Sequence, residues 1–211
     1  MKVLAVFYNE KTGEMNIRCD TAVLSSDVKT YEESIKPLLP PEGEEVGDHL
    51  CRLLCLAHTE SVLRIKAMRL LGMGDYTARG LLHKLYDTEV LGEKAEKEIA
   101  RKIVIFCVKK GYIREKDYAR RLIDRWIGDC RGEYYMLQKM REKKFRPGLA
   151  EELLDDEKKE QMRLALFDYV KNKRPGDKKE RDRLVASLAR RGYAYGDISD
   201  AMEAMGKEEF A

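Results

Sequence analysis

The sequence predicts a mainly α protein made of three tandem three-helix repeats in an elongated curved array, with a small N-terminal β-hairpin lead. Two observations predict this fold class. From Gly47 onward, apolar residues recur at three- and four-residue steps, which is the period of an amphipathic helix. One apolar spacing then returns three times, which is typical of repeat proteins. We expect a lead over residues 1–46 and repeats over 47–112, 113–157 and 158–211.

The lead has the pattern of short strands. Val3 to Tyr8 is rich in β-branched and aromatic residues, Asn9 to Gly13 is a turn signal, and Glu14 to Cys19 fits a second strand. A third short strand is expected near Ala22–Leu24. Three prolines and a glycine between Pro37 and Gly43 then interrupt the chain, so we place the boundary with the helical body shortly after them.

The body is predicted to be helical throughout. Its first helix should bury one face, formed by Leu50, Leu54, Ala57, Ser61, Ile65, Met68 and Leu71. A later long helix, from about Glu93 to Lys110, should bury Ile99, Ile103, Phe106 and Cys107. Gly111 is expected in a left-handed C-terminal cap. The other predicted helices are Ala78–Tyr86, capped by Asp75 or Thr77, then Glu115–Gly128, Glu133–Lys144, Pro147–Leu154, Lys158–Asn172, Lys178–Arg191 and Gly196–Met205.

The repeats are identified by apolar residues spaced by 4, 5, 5 and 4. Each set predicts two turns of one helix, an inward turn residue and two turns of the next helix. The three sets are Leu81, Leu85, Val90, Ala95 and Ile99, then Met136, Met140, Phe145, Ala150 and Leu154, then Leu184, Leu188, Tyr193, Ile198 and Met202.

The charge is unevenly distributed. Residues 1–61 hold 6 Lys/Arg and 11 Asp/Glu, a balance of −5, so the net charge of +3 leaves +8 for the rest of the chain. A basic body indicates an anionic partner, although a solvated surface of mixed charge would have the same composition.

The cysteines and the apolar runs indicate the compartment. The five cysteines are odd in number and include no Cys-x-x-Cys pair, which favours reduced thiols. Neither a signal peptide nor an apolar run of ~20 residues is evident. We therefore expect a cytoplasmic protein that does not bind membranes, and we expect it to be a monomer.

The sequence contains little that favours catalysis. Gly-rich phosphate loops and the Gly-x-Ser-x-Gly elbow are missing, so we expect no enzyme activity and no cofactor. One group of residues could hold a metal: His49, Cys51, Cys55 and His58. Its spacing matches no common zinc site, and such residues on an apolar stripe also fit core packing, so we expect no metal.

Seven basic residues are candidates for contact with an anionic partner. Lys109, Lys110, Arg190 and Arg191 lie at expected helix ends, where they could also satisfy terminal carbonyls. Arg121 and Arg125 lie mid-helix on one face and are the strongest candidates, and Lys139 belongs to a further basic cluster. The only tryptophan, Trp126, is expected in the core rather than stacked on a nucleobase.

Several segments resemble the RecX family, the bacterial regulators of the RecA recombinase. Lys109–Ala119 resembles the family's Gly-Tyr-Leu-Asp-Asp-x-x-Phe-Ala signature, and Arg190–Tyr193 with Ile198 resembles its closing segment. A third likeness, to the opening repeat of the family, is found in Ala67–Leu71, Asp75–Thr77 and Leu82–Leu85. The sequence departs from the family at Arg114-Glu115, which replace an acidic pair, and at Lys144, where a glycine is common.

The resemblance implies a fold of three tandem three-helix repeats and a function. Proteins of this family bind in the groove of the RecA–DNA filament and inhibit its extension, ATP hydrolysis and strand exchange. The resemblance therefore implies the RecA filament as partner, and a role in recombination, DNA repair and the SOS response. We expect only weak DNA binding without sequence preference.

Two other functions fit the same residues. Three-helix units could form a helix-turn-helix DNA-binding regulator, although no helix rich in Arg, Asn and Gln is evident. A helical-repeat adaptor for other proteins is the second alternative.

Overall fold

The computed structural model describes the backbone of residues 1–208 and the side chains of residues 1–205. The chain forms two compact units, Met1–Ile113 and the part from Arg114 onward. The fold is mainly helical with a small N-terminal antiparallel sheet, so the predicted mainly α class with a β-containing lead is confirmed. Over residues 1–208, helices long and apolar enough to cross a membrane are absent.

The first unit opens with a three-stranded antiparallel sheet in the order β1-β2-β3. Its strands are β1 (Val3–Asn9), β2 (Glu14–Cys19) and β3 (Val23–Asp27). Gly13 has a φ of +71° in the first turn, where glycine adopts the left-handed conformation without steric cost. The predicted hairpin is confirmed, and the third strand extends further than expected, to Asp27.

An irregular helical segment that was not predicted follows the sheet. It starts as α1 (Val28–Thr30), where the Asp27 carboxylate accepts a hydrogen bond from the Thr30 N–H. It continues as a wide π-helical turn over Tyr31–Ile35 and a tighter turn over Lys36–Leu38. Tyr31 and Ile35 are buried against the sheet, so this segment completes the core of the lead.

Three helices and a small hairpin complete the first unit. They are α2 (Asp48–Met73), α3 (Ala78–Tyr86), β4 (Glu89–Val90), β5 (Glu93–Lys94) and α4 (Lys97–Lys109). The hairpin was missed, and α4 starts later than the expected Glu93, because Glu93 and Lys94 pair with Val90 and Glu89. Thr77 caps α3 through its side-chain oxygen, which settles the choice between Asp75 and Thr77.

Two predicted buried faces are partly wrong. On α2, Ile65 and Met68 are exposed, and the buried side chains in this part of the helix are Leu63 and Ala67. The buried face changes along the helix because its two halves pack in different cores. Leu50 and Leu54 pack with the sheet of the lead, whereas Leu63 and Ala67 pack with α3 and α4. On α4, Phe106 is exposed whereas Ile99, Ile103 and Cys107 are buried.

The second unit is entirely helical as far as it is described. Its helices are α5 (Glu115–Gly128), α6 (Glu133–Glu142), α7 (Leu149–Leu153), α8 (Asp156–Lys173), α9 (Lys178–Arg190) and α10 (Tyr195–Glu208). Most bounds lie within two residues of the prediction. Pro147 stands before α7 rather than in its first turn, because Gly148 has a φ of +80° and the helix begins at Leu149.

The repeating apolar positions form the core. All positions of the three 4-5-5-4 sets are buried except Met202, which is half-buried against the third cluster. Separate buried clusters correspond broadly to the lead and to the three sets, but Met162 packs with the second set and Cys130 with the third. The division into a lead and three repeats stays a prediction.

Candidate partner-binding surface

Arg121 and Arg125 lie on the exposed face of α5. The opposite face buries Ala119, Leu122, Ile123, Trp126 and Ile127. Because the two arginines are four residues apart, they project from successive turns of one side of the helix. The sequence prediction of a basic pair on one face of a helix agrees with this placement.

Lys139 belongs to a different basic group, centred on the ring of Tyr135. Its Nζ lies 2.6 Å from Glu142 Oε2 and 5.8 Å from the ring centroid of Tyr135. The hydrogen bond to Glu142 raises the pKa of Lys139. The Arg131 guanidinium lies 4.7 Å from the same ring centroid, and the buried Trp126 meets that ring edge-on at 5.9 Å. Trp126 is therefore a core residue, as expected.

Arg190 and Arg191 have different environments at the end of α9. Arg190 is exposed, whereas Arg191 is half-buried. Arg191 Nη1 donates to the carbonyl oxygen of Asp129 at 3.0 Å, and its guanidinium lies 4.7 Å from the ring centroid of Tyr169. The sequence allowed Arg191 a role at terminal carbonyls, and the structure shows that the carbonyl it binds follows α5 rather than α9. Its predicted role in partner binding stays untested.

Lys109 and Lys110 are exposed at the end of α4, in the first unit. Lys110 Nζ lies 5.9 Å from the ring centroid of Phe106. Gly111 follows with a φ of +71°, and the Tyr112 N–H donates to the Cys107 carbonyl at 2.9 Å, which confirms the predicted left-handed cap. The seven basic candidates are thus divided between the two units, two in the first and five in the second.

The possible metal ligands are placed along the first part of α2. His58 Nδ1 accepts a hydrogen bond from the Ser25 N–H of β3 at 3.0 Å, and burial lowers the pKa of this imidazole. Burial raises the pKa of the Cys55 thiol, which opposes formation of the thiolate that binds metals. Within the described part of the chain, no three His, Cys, Asp or Glu side chains are arranged to hold a metal ion.

A close backbone crossing in the second unit was missed in the sequence. The Gly132 N–H donates to the Arg191 carbonyl at 2.9 Å, and the Tyr134 N–H donates to the Gly192 carbonyl at 3.1 Å. A Cβ atom on Gly132 would lie 2.2 Å from the Gly192 oxygen. The turn between α5 and α6 is thus joined directly to the turn between α9 and α10. The signal in the sequence was a glycine in each turn.

Comparison with known proteins gives one consistent result. No family model matches the chain. In sequence, it is 28% identical over 148 residues to the regulatory protein RecX of Trichlorobacter lovleyi, a match that covers 66% of this chain and 92% of that protein. In structure, it is similar to a crystal structure of regulatory protein RecX, with a TM-score of 0.62 and 16% identity, over 94% of this chain and 98% of the other.

The chain resembles the RecX regulatory proteins. A second structure, RecX from Lactobacillus salivarius, matches with a TM-score of 0.58 and 16% identity over 70% of this chain and 97% of that one. The resemblance to the RecX family that was based on Lys109–Ala119 is thereby confirmed.

The structure explains why the RecX-like signature segment is informative. It spans the end of α4, the Gly111 turn and the start of α5, and it places Ile113 and Ala119 in the cores of the two units. Each of these two residues therefore anchors its part of the segment in the core of its own unit.

Proposed function

We propose that this chain is a RecX-type regulator of a RecA recombinase. It binds in the groove of the RecA–DNA filament and inhibits filament extension, ATP hydrolysis and strand exchange. One observation supports this above all: the RecX regulatory protein that it matches is covered over 92% of its length, so the likeness involves nearly the whole of that protein. The role is regulatory and non-catalytic, in recombination and DNA repair in the cytoplasm of a bacterium.

The physical properties of the chain suit such a role. Beyond residue 61 the charge balance is +8, and Arg121 and Arg125 are exposed on α5. Basic surfaces attract DNA phosphates without reading sequence, and they also pair with acidic protein loops. Binding to the filament groove needs shape and charge rather than a reactive group. We therefore propose a monomer whose DNA binding is weak and independent of sequence.

The direct test is the ATPase activity of RecA on single-stranded DNA. Purified protein added in stoichiometric amount should lower the rate of ATP hydrolysis and slow strand exchange. An unchanged rate at that ratio would contradict the proposal.

A charge reversal tests the candidate surface. Arg121→Glu with Arg125→Glu should weaken inhibition of the RecA ATPase at least tenfold, because the substitutions place negative charge where an anionic partner is expected. Arg69→Glu, an exposed charge reversal on α2, serves as the control and should inhibit like the wild type. Inhibition that survives the double reversal would exclude this face of α5 from the contact.

A further inference from the structure

Helix α4 exposes an apolar face that the fold leaves uncovered. Its other side packs into the core of the first unit through Ile99, Ala100, Ile103, Val104 and Cys107. On the outer side, Ile105, Phe106, Val108 and the following Tyr112 are between 42% and 53% exposed. Scattered exposed apolar residues are ordinary on protein surfaces, but here four occur within eight positions. They form two neighbouring pairs: Ile105 and Val108 are one turn apart on the helix, and Phe106 contacts Tyr112. Together these two pairs are the exposed apolar patch of α4, and such a concentration is typical of a binding site.

The aromatic residues of this patch are held together. The rings of Phe106 and Tyr112 meet edge-on, with centroids 6.3 Å apart, and Lys110 lies over the Phe106 ring. An aromatic pair with a cation beside it supplies a large contact area at little cost in side-chain entropy, which is the usual composition of an interface hot spot.

The charge around the patch has one sign. Residues 99–113 contain no aspartate or glutamate, whereas they contain Arg101, Lys102, Lys109 and Lys110. Glu98, at the start of the helix, is occupied by a hydrogen bond from Arg101. Lys109 and Lys110 therefore lie beside the apolar patch at the end of α4, where the last three turns contain no acidic residue. This charge favours an acidic partner.

We propose that this α4 face docks an acidic protein segment that carries exposed apolar side chains. The inference rests on the proposed function, in which the segment belongs to the RecA filament, and it adds to that function the site on the first unit and the chemistry of the partner. Aliphatic side chains such as Ile105 and Val108 offer nothing to DNA phosphates, which disfavours nucleic acid as the occupant. These side chains are only half exposed, which favours a protein partner over insertion into a membrane, where the apolar residues enter the lipid.

The experiment compares two variants with one matched control. Ile105→Glu with Val108→Glu places two carboxylates in the patch, and Lys109→Glu with Lys110→Glu reverses its charge without touching the core. Ile65→Glu is the control, since it makes the same change at an exposed isoleucine of α2 in the same unit. Each protein is checked by circular dichroism and then titrated onto RecA filaments on single-stranded DNA, with binding measured by biolayer interferometry.

Both double variants should bind the filament at least tenfold more weakly than the wild type, while Ile65→Glu binds normally. Wild-type protein that fails to bind at all would reject the proposed function itself. Wild-type binding that both double variants retain would overturn only the α4 surface. If the Ile105/Val108 variant does not fold, the filament binding of the Lys109/Lys110 variant alone tests the α4 surface.

Two further measurements separate other occupants from an acidic protein segment. Co-sedimentation with phosphatidylglycerol–phosphatidylcholine vesicles that the variants abolish would assign the face to a membrane and overturn the proposal. Wild-type dimers in analytical ultracentrifugation that the same substitutions dissociate would assign it to a second copy of this chain, which also overturns it. Wild-type protein that stays monomeric and does not sediment with the vesicles supports the proposal.

Discussion

Lys144 shows how a single residue can depart from the conformation its side chain prefers. It follows α6 with a φ of +62°, and the Phe145 N–H donates to the Met140 carbonyl at 3.1 Å, so it occupies the cap position that glycine fills at Gly111 and Gly192. A Cβ atom in this conformation is strained, and glycine is the common solution. The departure from the RecX pattern at this position therefore has a cost in stability.

Replacing this residue should raise the stability of the protein. Lys144→Gly is expected to increase the free energy of unfolding by about 0.5–1 kcal/mol, because it removes the Cβ strain at a small cost in chain entropy. Urea unfolding followed by circular dichroism measures the change. Lys144→Ala is the control and should give no gain, since alanine keeps the Cβ atom. Equal stability of the glycine and alanine variants would contradict the account.

Position 132 requires glycine for a different reason, which is that the structure leaves no space for a Cβ atom there. A Cβ atom there would lie 2.2 Å from the Gly192 oxygen, and both glycines are buried. Gly132→Ala should therefore lower the free energy of unfolding by about 2–3 kcal/mol, as expected of overpacking against a backbone atom that cannot move away. Gly128→Ala, in the last turn of α5, meets nothing within 4 Å and should be neutral or slightly stabilising. Similar stability of the two variants, measured by urea unfolding, would show that the crossing is not tight.

At the scale of elements, His58 links α2 to strand β3. Its Nδ1 accepts from the Ser25 N–H only while the imidazole is neutral, and burial lowers the pKa of His58 despite the opposing effect of Glu14. The unfolded chain takes up the proton near pH 6.5. The contribution of His58 to stability is thus complete above that pH and is lost as the pH falls through the lowered pKa of the folded protein.

The sheet of the lead should therefore loosen in mild acid. The urea midpoint of the wild type is expected to drop between pH 7.5 and pH 5.5, and His58→Gln should reduce that drop because glutamine does not titrate. His49→Gln, at an exposed histidine on the same helix, should leave the drop unchanged. If His58→Gln loses as much stability in acid as the wild type, another group is responsible.

The elements that could be predicted best are helices with a clear apolar period. Helix α5 matches its prediction from Glu115 to Gly128. The β4–β5 hairpin was missed because its strands have two residues each, and because its Leu91-Gly92 turn places leucine at a φ of +55°, where Asn or Asp would give the usual signal. Val90 was predicted as an inward turn residue, and it is buried. Ala95 and Ile99 are four residues apart, so the pattern extended the following helix back to Glu93 and concealed the second strand.

At the scale of the whole molecule, the basic candidates could be predicted only in part. Lysines and arginines on helical faces opposite the apolar stripe are expected to be exposed, and Arg121 and Arg125 are. Arg191 could not be assigned in this way, because its partners at Asp129 and Cys130 are distant in sequence. The exposed apolar face of α4 could not be predicted either, because Phe106 fits the spacing of the buried residues of that helix. The surfaces proposed for partner binding are therefore ones that local periodicity does not describe.

The crossing of the two turns in the second unit limits how the chain can vary. Its hydrogen bonds join main-chain amides and carbonyls of Gly132, Tyr134, Arg191 and Gly192, so these bonds do not depend on which side chains the turns carry. An added or deleted residue in either turn would bring each amide opposite the wrong carbonyl. The main-chain crossing therefore fixes the length of both turns, because insertions and deletions break it even where a substitution would not.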